Sequence, residues 1–116
     1  MRHQKRKVTL SRAAPARNAL LTHLAESLIL YEKIRTTKAK AKAVRSVVER
    51  MITKSKKNTL AARRDLIALL DTQNAAKKLM EELGPRYKDR AGGYTRMTML
   101  ENRKGDGAEE AIIEFV

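Results

Sequence analysis

Leu20, Leu21, Leu24, Leu28 and Ile29 recur at spacings of four and eight. With Pro15 suited to a first helical turn, they predict an amphipathic helix from about Pro15 to Tyr31. The next six residues, Glu32-Lys33-Ile34-Arg35-Thr36-Thr37, alternate apolar and charged side chains and accumulate β-branched ones, so they predict a brief strand. Thr36 or Thr37 can cap a second helix over about 37 to 57. Its stripe is Val44, Val47, Val48, Met51 and Ile52, which leaves Lys38, Lys40, Lys42, Arg45, Lys54, Lys56 and Lys57 for other faces.

Asn58 is placed to cap a third helix reaching Leu70. Asp71 or Thr72 can cap a fourth that carries Ala76, Leu79, Met80 and Leu83 at i, i+3, i+4 and i+7. Gly84-Pro85 then reads as a helix stop. Beyond it the helical period is lost, and strands over 94 to 101 and 110 to 116 are joined around Gly105-Asp106-Gly107, a turn signal that makes them an antiparallel hairpin. The order is helix, strand, three helices, two strands, with no internal repeat and no linker. That order predicts a two-layer α+β domain, a small three-strand sheet covered on one face by helices.

Charge changes the picture. The 116 residues carry 26 Lys and Arg against 13 Asp and Glu, a net charge of +13 that seeks a polyanion. Residues 1 to 64 hold 18 of the cations and only Glu26, Glu32 and Glu49, whereas residues 65 to 116 hold eight cations and ten acids. The anion-binding surface therefore belongs mainly to the first half. Residues 1 to 18 include Arg2, Lys5, Arg6, Lys7, Arg12 and Arg17 with no acid and no regular period. We read residues 1 to 14 as an extended basic arm that orders on a polyanion, and 15 to 116 as a single domain. A second basic element follows Pro85, where Arg86, Lys88, Arg90, Gly92 and Gly93 form a loop able to bring backbone amides close to phosphate.

Other chemistries find little support. Cysteine is absent and the two histidines, His3 and His23, do not complete a zinc tetrahedron, so no metal or other cofactor is expected. His23 and Ser27 are four apart on the first helix, but no third group is evident in the sequence to orient the histidine, and no oxyanion donors. Glu81-Glu82 and Glu109-Glu110 are adjacent residues that point in different directions, and Gly92-Gly93 lacks the Gly-Lys-Ser or Gly-Lys-Thr ending of a nucleotide loop. The expectation is a protein with no catalytic activity and no small-molecule substrate. No run of about 18 apolar residues spans a bilayer and no apolar signal region opens the sequence, so a chain that stays in the compartment of its synthesis, without membrane insertion, is expected. The aromatic residues Tyr31, Tyr87, Tyr94 and Phe115 are too few for a stacking platform. Phosphate and shape contacts should dominate over base reading; Tyr87 and Tyr94 flank the basic loop, where packing against the hairpin is favoured over the alternative of stacking on an exposed base.

Several of these residues fall into a known pattern. Met1-Arg2-His3 with Lys5, Leu10, Arg12 and Arg17, then Ser27-Leu28, Glu32, Ile34-Arg35-Thr36-Thr37 and Lys40-Ala41-Lys42 follow it. So, above all, do Glu82-Leu83-Gly84-Pro85-Arg86-Tyr87 and Arg90-Ala91-Gly92-Gly93-Tyr94-Thr95-Arg96. Over essentially its whole length the chain resembles the bacterial large-subunit ribosomal protein family numbered seventeen. Gly105-Asp106 and the Ile113-Glu114-Phe115-Val116 ending are similar to the family's too. Lys7 and Val8 depart from its usual Gly and Arg, Ala16 from a common His, and Glu109 from a common Pro.

The resemblance implies a helix-plus-sheet domain whose basic N-terminal extension enters large-subunit rRNA near the outer end of the peptide exit tunnel. It implies a structural role in the cytoplasmic ribosome, with rRNA and neighbouring large-subunit proteins as partners and no homo-oligomer. The residues expected to bind RNA are Arg2, His3, Lys5, Arg6, Lys7, Arg12 and Arg17, then Lys38, Lys40 and Lys42, and around the loop Arg86, Arg90, Gly92, Gly93 and Arg96. The alternative is a non-ribosomal, DNA-architectural basic protein, for which the sequence offers no recognition helix, insertion wedge or dimerising stripe.

Overall fold

A computed structural model of the chain describes residues 9, 10 and 12 to 116. Its elements are α1 (Ala14–Tyr31), β1 (Lys33–Thr37), α2 (Lys38–Ser55), α3 (Leu60–Leu69), α4 (Gln73–Lys78), a π-helical turn (Leu79–Leu83), a last helical turn (Gly84–Arg86), β2 (Thr95–Met99) and β3 (Glu110–Phe115). The strands form one antiparallel sheet in the order β1-β3-β2. The expected α+β layout is present, with the helices on one face of a three-strand sheet.

Register follows from burial. Ile113 stands between Ile34 and Met97, and Ala111 between Thr36 and Met99. Ala111 and Ile113 are fully buried on the helical side. The alternate residues Ile112 and Glu114 pair with Arg35 and Thr98, and with Lys33 and Arg96, on the open side. α2 packs across all three strands through Val44, Val48, Met51 and Ile52, and α1 lies against α2 and β1. On α1, Ala25, Leu28 and Ile29 are fully buried, whereas Leu20, Leu21 and Leu24 are half-buried at the edge. α4 and the π turn close the core with Ala75, Ala76, Leu79, Met80 and Leu83. Tyr87 and Tyr94 sit at its hairpin end, rings 5.2 Å apart and tilted, with Phe115 beside Tyr87. Tyr87 donates its hydroxyl to the Val116 carbonyl.

Three helix boundaries differ from the sequence expectation. Thr59, not Asn58, caps α3, accepting the Ala62 N–H at 3.1 Å, while Asn58 adopts a left-handed φ of 49° in the turn before it. Neither Asp71 nor Thr72 caps α4 with its own side chain. Glu26 of α1 reaches across instead and accepts the N–H groups of both. Gly84-Pro85 does not stop the helix. Gly84 is right-handed at φ −55° and the helix continues to Arg86.

The π turn explains how. Proline lacks an N–H and its ring collides with the carbonyl four residues earlier in a regular helix. Widening the turn, so that the Gly84 N–H donates to Leu79 O, lets Pro85 enter. Glycine at 84 serves close approach: a Cβ there would lie 3.0 Å from the Ser55 carbonyl oxygen and 3.1 Å from that of Leu79. Gly84→Ala is therefore expected to destabilise. Overpacking costs roughly 1–3 kcal/mol and outweighs a gain of about 1 kcal/mol in helix propensity. A lowered denaturant midpoint with an unchanged slope would confirm it.

Candidate nucleic-acid interface

The fold gives the cations expected at an RNA interface different surroundings. Arg2, His3, Lys5, Arg6 and Lys7 lie outside the described residues. Arg12 is exposed and donates to the Leu10 carbonyl at 2.9 Å. Arg17, in the first turns of α1, is 7% exposed.

The N-terminus of α2 is the best-formed anion-facing feature. Its first turn contains no acid, and Thr37 caps it by accepting the Lys40 N–H at 3.4 Å. The Lys38 N–H donates to the Glu109 carbonyl at 2.9 Å, fixing the helix start to the end of the hairpin loop. Thr37, Lys38, Ala39, Lys42, Ala108 and Glu109 line an open depression of about 420 Å³ at this point. Lys38, Lys42 and Arg45 follow at i, i+4 and i+7 along one face, with Lys40 half-buried beside them. Lys38 is 3.5 Å from Glu109, an exposed pair that phosphate can displace, and among the described residues no acid pairs with Lys40, Lys42 or Arg45. With the Lys38 and Lys40 N–H groups already partnered, it is the dipole of the helix start that reinforces such cations toward an anion. Arg45 was not among the expected site residues, although its seven-residue spacing from Lys38 was visible.

The loop after Pro85 is more structural than its composition suggests. Arg86 forms a two-pronged ion pair with Glu32, which also accepts from Lys78 at 3.0 Å. Lys78 donates to the Leu30 carbonyl as well, so a cation sits at the C-terminal end of α1. Glu32 is held at a left-handed φ of 63°, and this double tie keeps it there. Arg90 folds back to donate to the carbonyls of Gly92 (3.0 Å) and Gly93 (3.2 Å). Gly93 takes a left-handed φ of 61°, which a side chain resists. Lys56 stitches the same loop to α2, donating to the Arg90 carbonyl and to the Tyr94 hydroxyl. With a bond to Thr53 as the larger cause and Lys56 second, these neighbours lower the Tyr94 pKa. Lys88 remains exposed. On the open sheet face Arg96 and Lys33 flank Glu114, and Arg35 reaches Glu110 at 2.9 Å.

The Glu32 tie gives a pH prediction. The hydrogen bond from Arg86 is the largest cause and Lys78 adds to it; together they hold the Glu32 carboxyl down at about 2, against an ordinary value of 4.5. A folded pKa below the unfolded one stabilises above the unfolded value, and that contribution disappears as pH falls through the folded value. Wild type should thus be more heat-stable than Glu32→Gln near pH 6. The gap should narrow below about pH 4.5 and vanish near pH 2, as read from paired melting curves.

His23 also departs from expectation, since an acid does accompany it: Nε2 lies 3.2 Å from Asp71 Oδ2. Both side chains are largely exposed, and the contact ties α1 to the α3–α4 turn. Glu81 and Glu82 are exposed, whereas Glu109 and Glu110 engage Lys38 and Arg35 separately. Among the described residues no helix is long and apolar enough to cross a membrane.

Comparison with known proteins adds the family. Residues 20–116 match the model of the family described as Ribosomal protein L17. A Hydrogenobaculum protein named Large ribosomal subunit protein bL17 is 54% identical over 117 residues, covering 100% of this chain and 99% of its own length. The Solibacter usitatus protein of that name is 52% identical across 100% of this chain and 77% of its own length, and the Fusobacterium nucleatum one is 47% identical across 100% of both.

Proposed function

The chain belongs to the ribosomal protein L17 family, and from that premise we propose that it is a structural component of the bacterial large ribosomal subunit that binds large-subunit rRNA. It acts by phosphate and shape contacts, works in the cytoplasmic ribosome and catalyses no reaction. The observation that carries this reading is the Lys38, Lys42 and Arg45 stripe running from the acid-free start of α2. Around it we place the arm of residues 1 to 14 as a second RNA-binding segment, ahead of the domain of residues 15 to 116. Lys88, exposed in the loop after Pro85, forms a third. Arg86, Arg90, Arg96, Gly92 and Gly93 shape the surface more than they contact phosphate, because protein partners already occupy the three arginines.

The test is direct. In a sucrose gradient the protein should travel with large subunits and leave them at high salt; migration with the nucleoid instead would favour the DNA-architectural alternative. Lys42→Ala with Arg45→Ala should reduce the salt-dependence slope of rRNA-fragment binding by about one per cation removed, and weaken all RNA sequences alike. Filter binding across a salt series measures both.

A further inference from the structure

Between α2 and α3 lies a groove of about 330 Å³ lined by Val47, Arg50, Met51, Lys54 and Leu69. Its walls are mostly apolar. Leu69 is 51% exposed although its neighbours Leu66 and Leu70 are buried, so it stands as a free apolar wall opposite Val47 and Met51. Cations form the rim. Among the described residues no acid pairs with Arg50, whose Nε donates only to the Ser46 carbonyl of its own helix. Lys54 is 3.6 Å from Asp65 in an exposed pair, which a phosphate can displace.

We propose that this groove takes one unstacked RNA nucleobase, with the adjoining phosphates on Arg50 and Lys54. An apolar floor beneath two cations complements a nucleotide, which joins a flat, weakly polar ring to an anionic backbone. Splayed-out bases are commonly packed between aromatic or apolar side chains. A partner helix would need anchors repeating at i, i+3 or i+4, and i+7 along an extended channel. This is a single depression bounded by five residues, and its cationic rim selects an anion. The inference rests on the rRNA-binding reading and adds to it a contact that senses the presence of a base.

Methyl NMR of the full chain labelled at methionine tests it. Met51 lies in the groove, and Met80, Met97 and Met99 lie elsewhere and serve as references. An adenine-only RNA tetranucleotide should shift the Met51 methyl upfield by ring current and leave the references in place. Its abasic counterpart, which has the same phosphates, should not. Leu69→Ala should weaken this response roughly fivefold, the low end of base-packing effects. Leu69→Met, which keeps an apolar wall, should retain it. Equal shifts from both oligonucleotides would reduce the groove to a phosphate contact and overturn the proposal. So would a Met51 shift caused only by an acidic amphipathic peptide. Salt-steep binding of an rRNA fragment is measured separately: a protein that shows it but gives no base-dependent Met51 shift loses the groove and keeps the interface.

Discussion

The affinity of this protein for a large-subunit rRNA fragment should fall by roughly 10³ to 10⁵ between 50 and 200 mM salt, if about 6 to 10 phosphates are neutralised on a duplex. The structure separates cations that are paired with carboxylates from cations that are not. Arg35, Lys78, Arg86, Arg96 and Arg103 are each within 3.0 Å of a carboxylate, so RNA meets them as neutral pairs that displace few counterions. The steepness is expected from cations that have no carboxylate partner among the described residues, Lys40, Lys42, Arg45 and Arg50 on α2, Arg63 and Arg64 on α3, and Lys88, together with the charge of the arm. Removing residues 2 to 7, which hold four Lys and Arg, should lower the slope by up to about 0.9 for each phosphate that is no longer neutralised. A nearly flat salt profile in the wild type would mean that stacking or base reading dominates, contrary to the charge distribution.

The largest stability effect is expected at the centre of the core. Val48 on α2 and Leu28 on α1 are both fully buried in a cluster that includes Val44, Ile52, Tyr94 and Ile113. Aspartate at either position would place a carboxylate there with no cation or donor arranged to receive it. An uncompensated buried charge costs about 3–5 kcal/mol, on top of the lost apolar packing, and small domains have only about 5–15 kcal/mol in total. Val48→Asp and Leu28→Asp should therefore abolish cooperative unfolding, as followed by circular dichroism against temperature. Leu28→Ala should stay folded and lose about 2–5 kcal/mol. A sharp transition in either aspartate variant would show that the core has been misassigned.

Much of this was readable before the fold was known, for physical reasons that also explain the exceptions. Strand positions, the α2 stripe and the burial of Tyr87 and Tyr94 follow from periodicity and the lack of polar alternatives, which are local properties. Gly84-Pro85 misled because its usual meaning is also local. What keeps the helix going is the π turn that admits Pro85, and it packs so near Ser55, far away in sequence, that a Cβ at position 84 would lie 3.0 Å from the Ser55 carbonyl oxygen. The Glu26 cap over Asp71 and Thr72 and the His23–Asp71 contact are invisible for the same reason. Charge counting found the basic half but could not separate cations facing outward from those held by acids. Arg86 and Arg96 are indistinguishable from Lys42 by composition, and only the placement of Glu32 and Glu114 divides them.

The order β1-β3-β2 also constrains how the chain is made. The strand that comes last in sequence occupies the middle of the sheet, so β1 and β2 have no backbone partner until residues 110 to 115 have been synthesised. Lys33 must wait for Glu114, eighty-one residues later, whereas the helices between them can form as they emerge. Such distant pairing slows folding and leaves two open strand edges on the nascent chain. Until the final strand arrives, α2 presents its Val and Ile stripe to no sheet, and each unfinished copy exposes a surface that invites aggregation or chaperone capture.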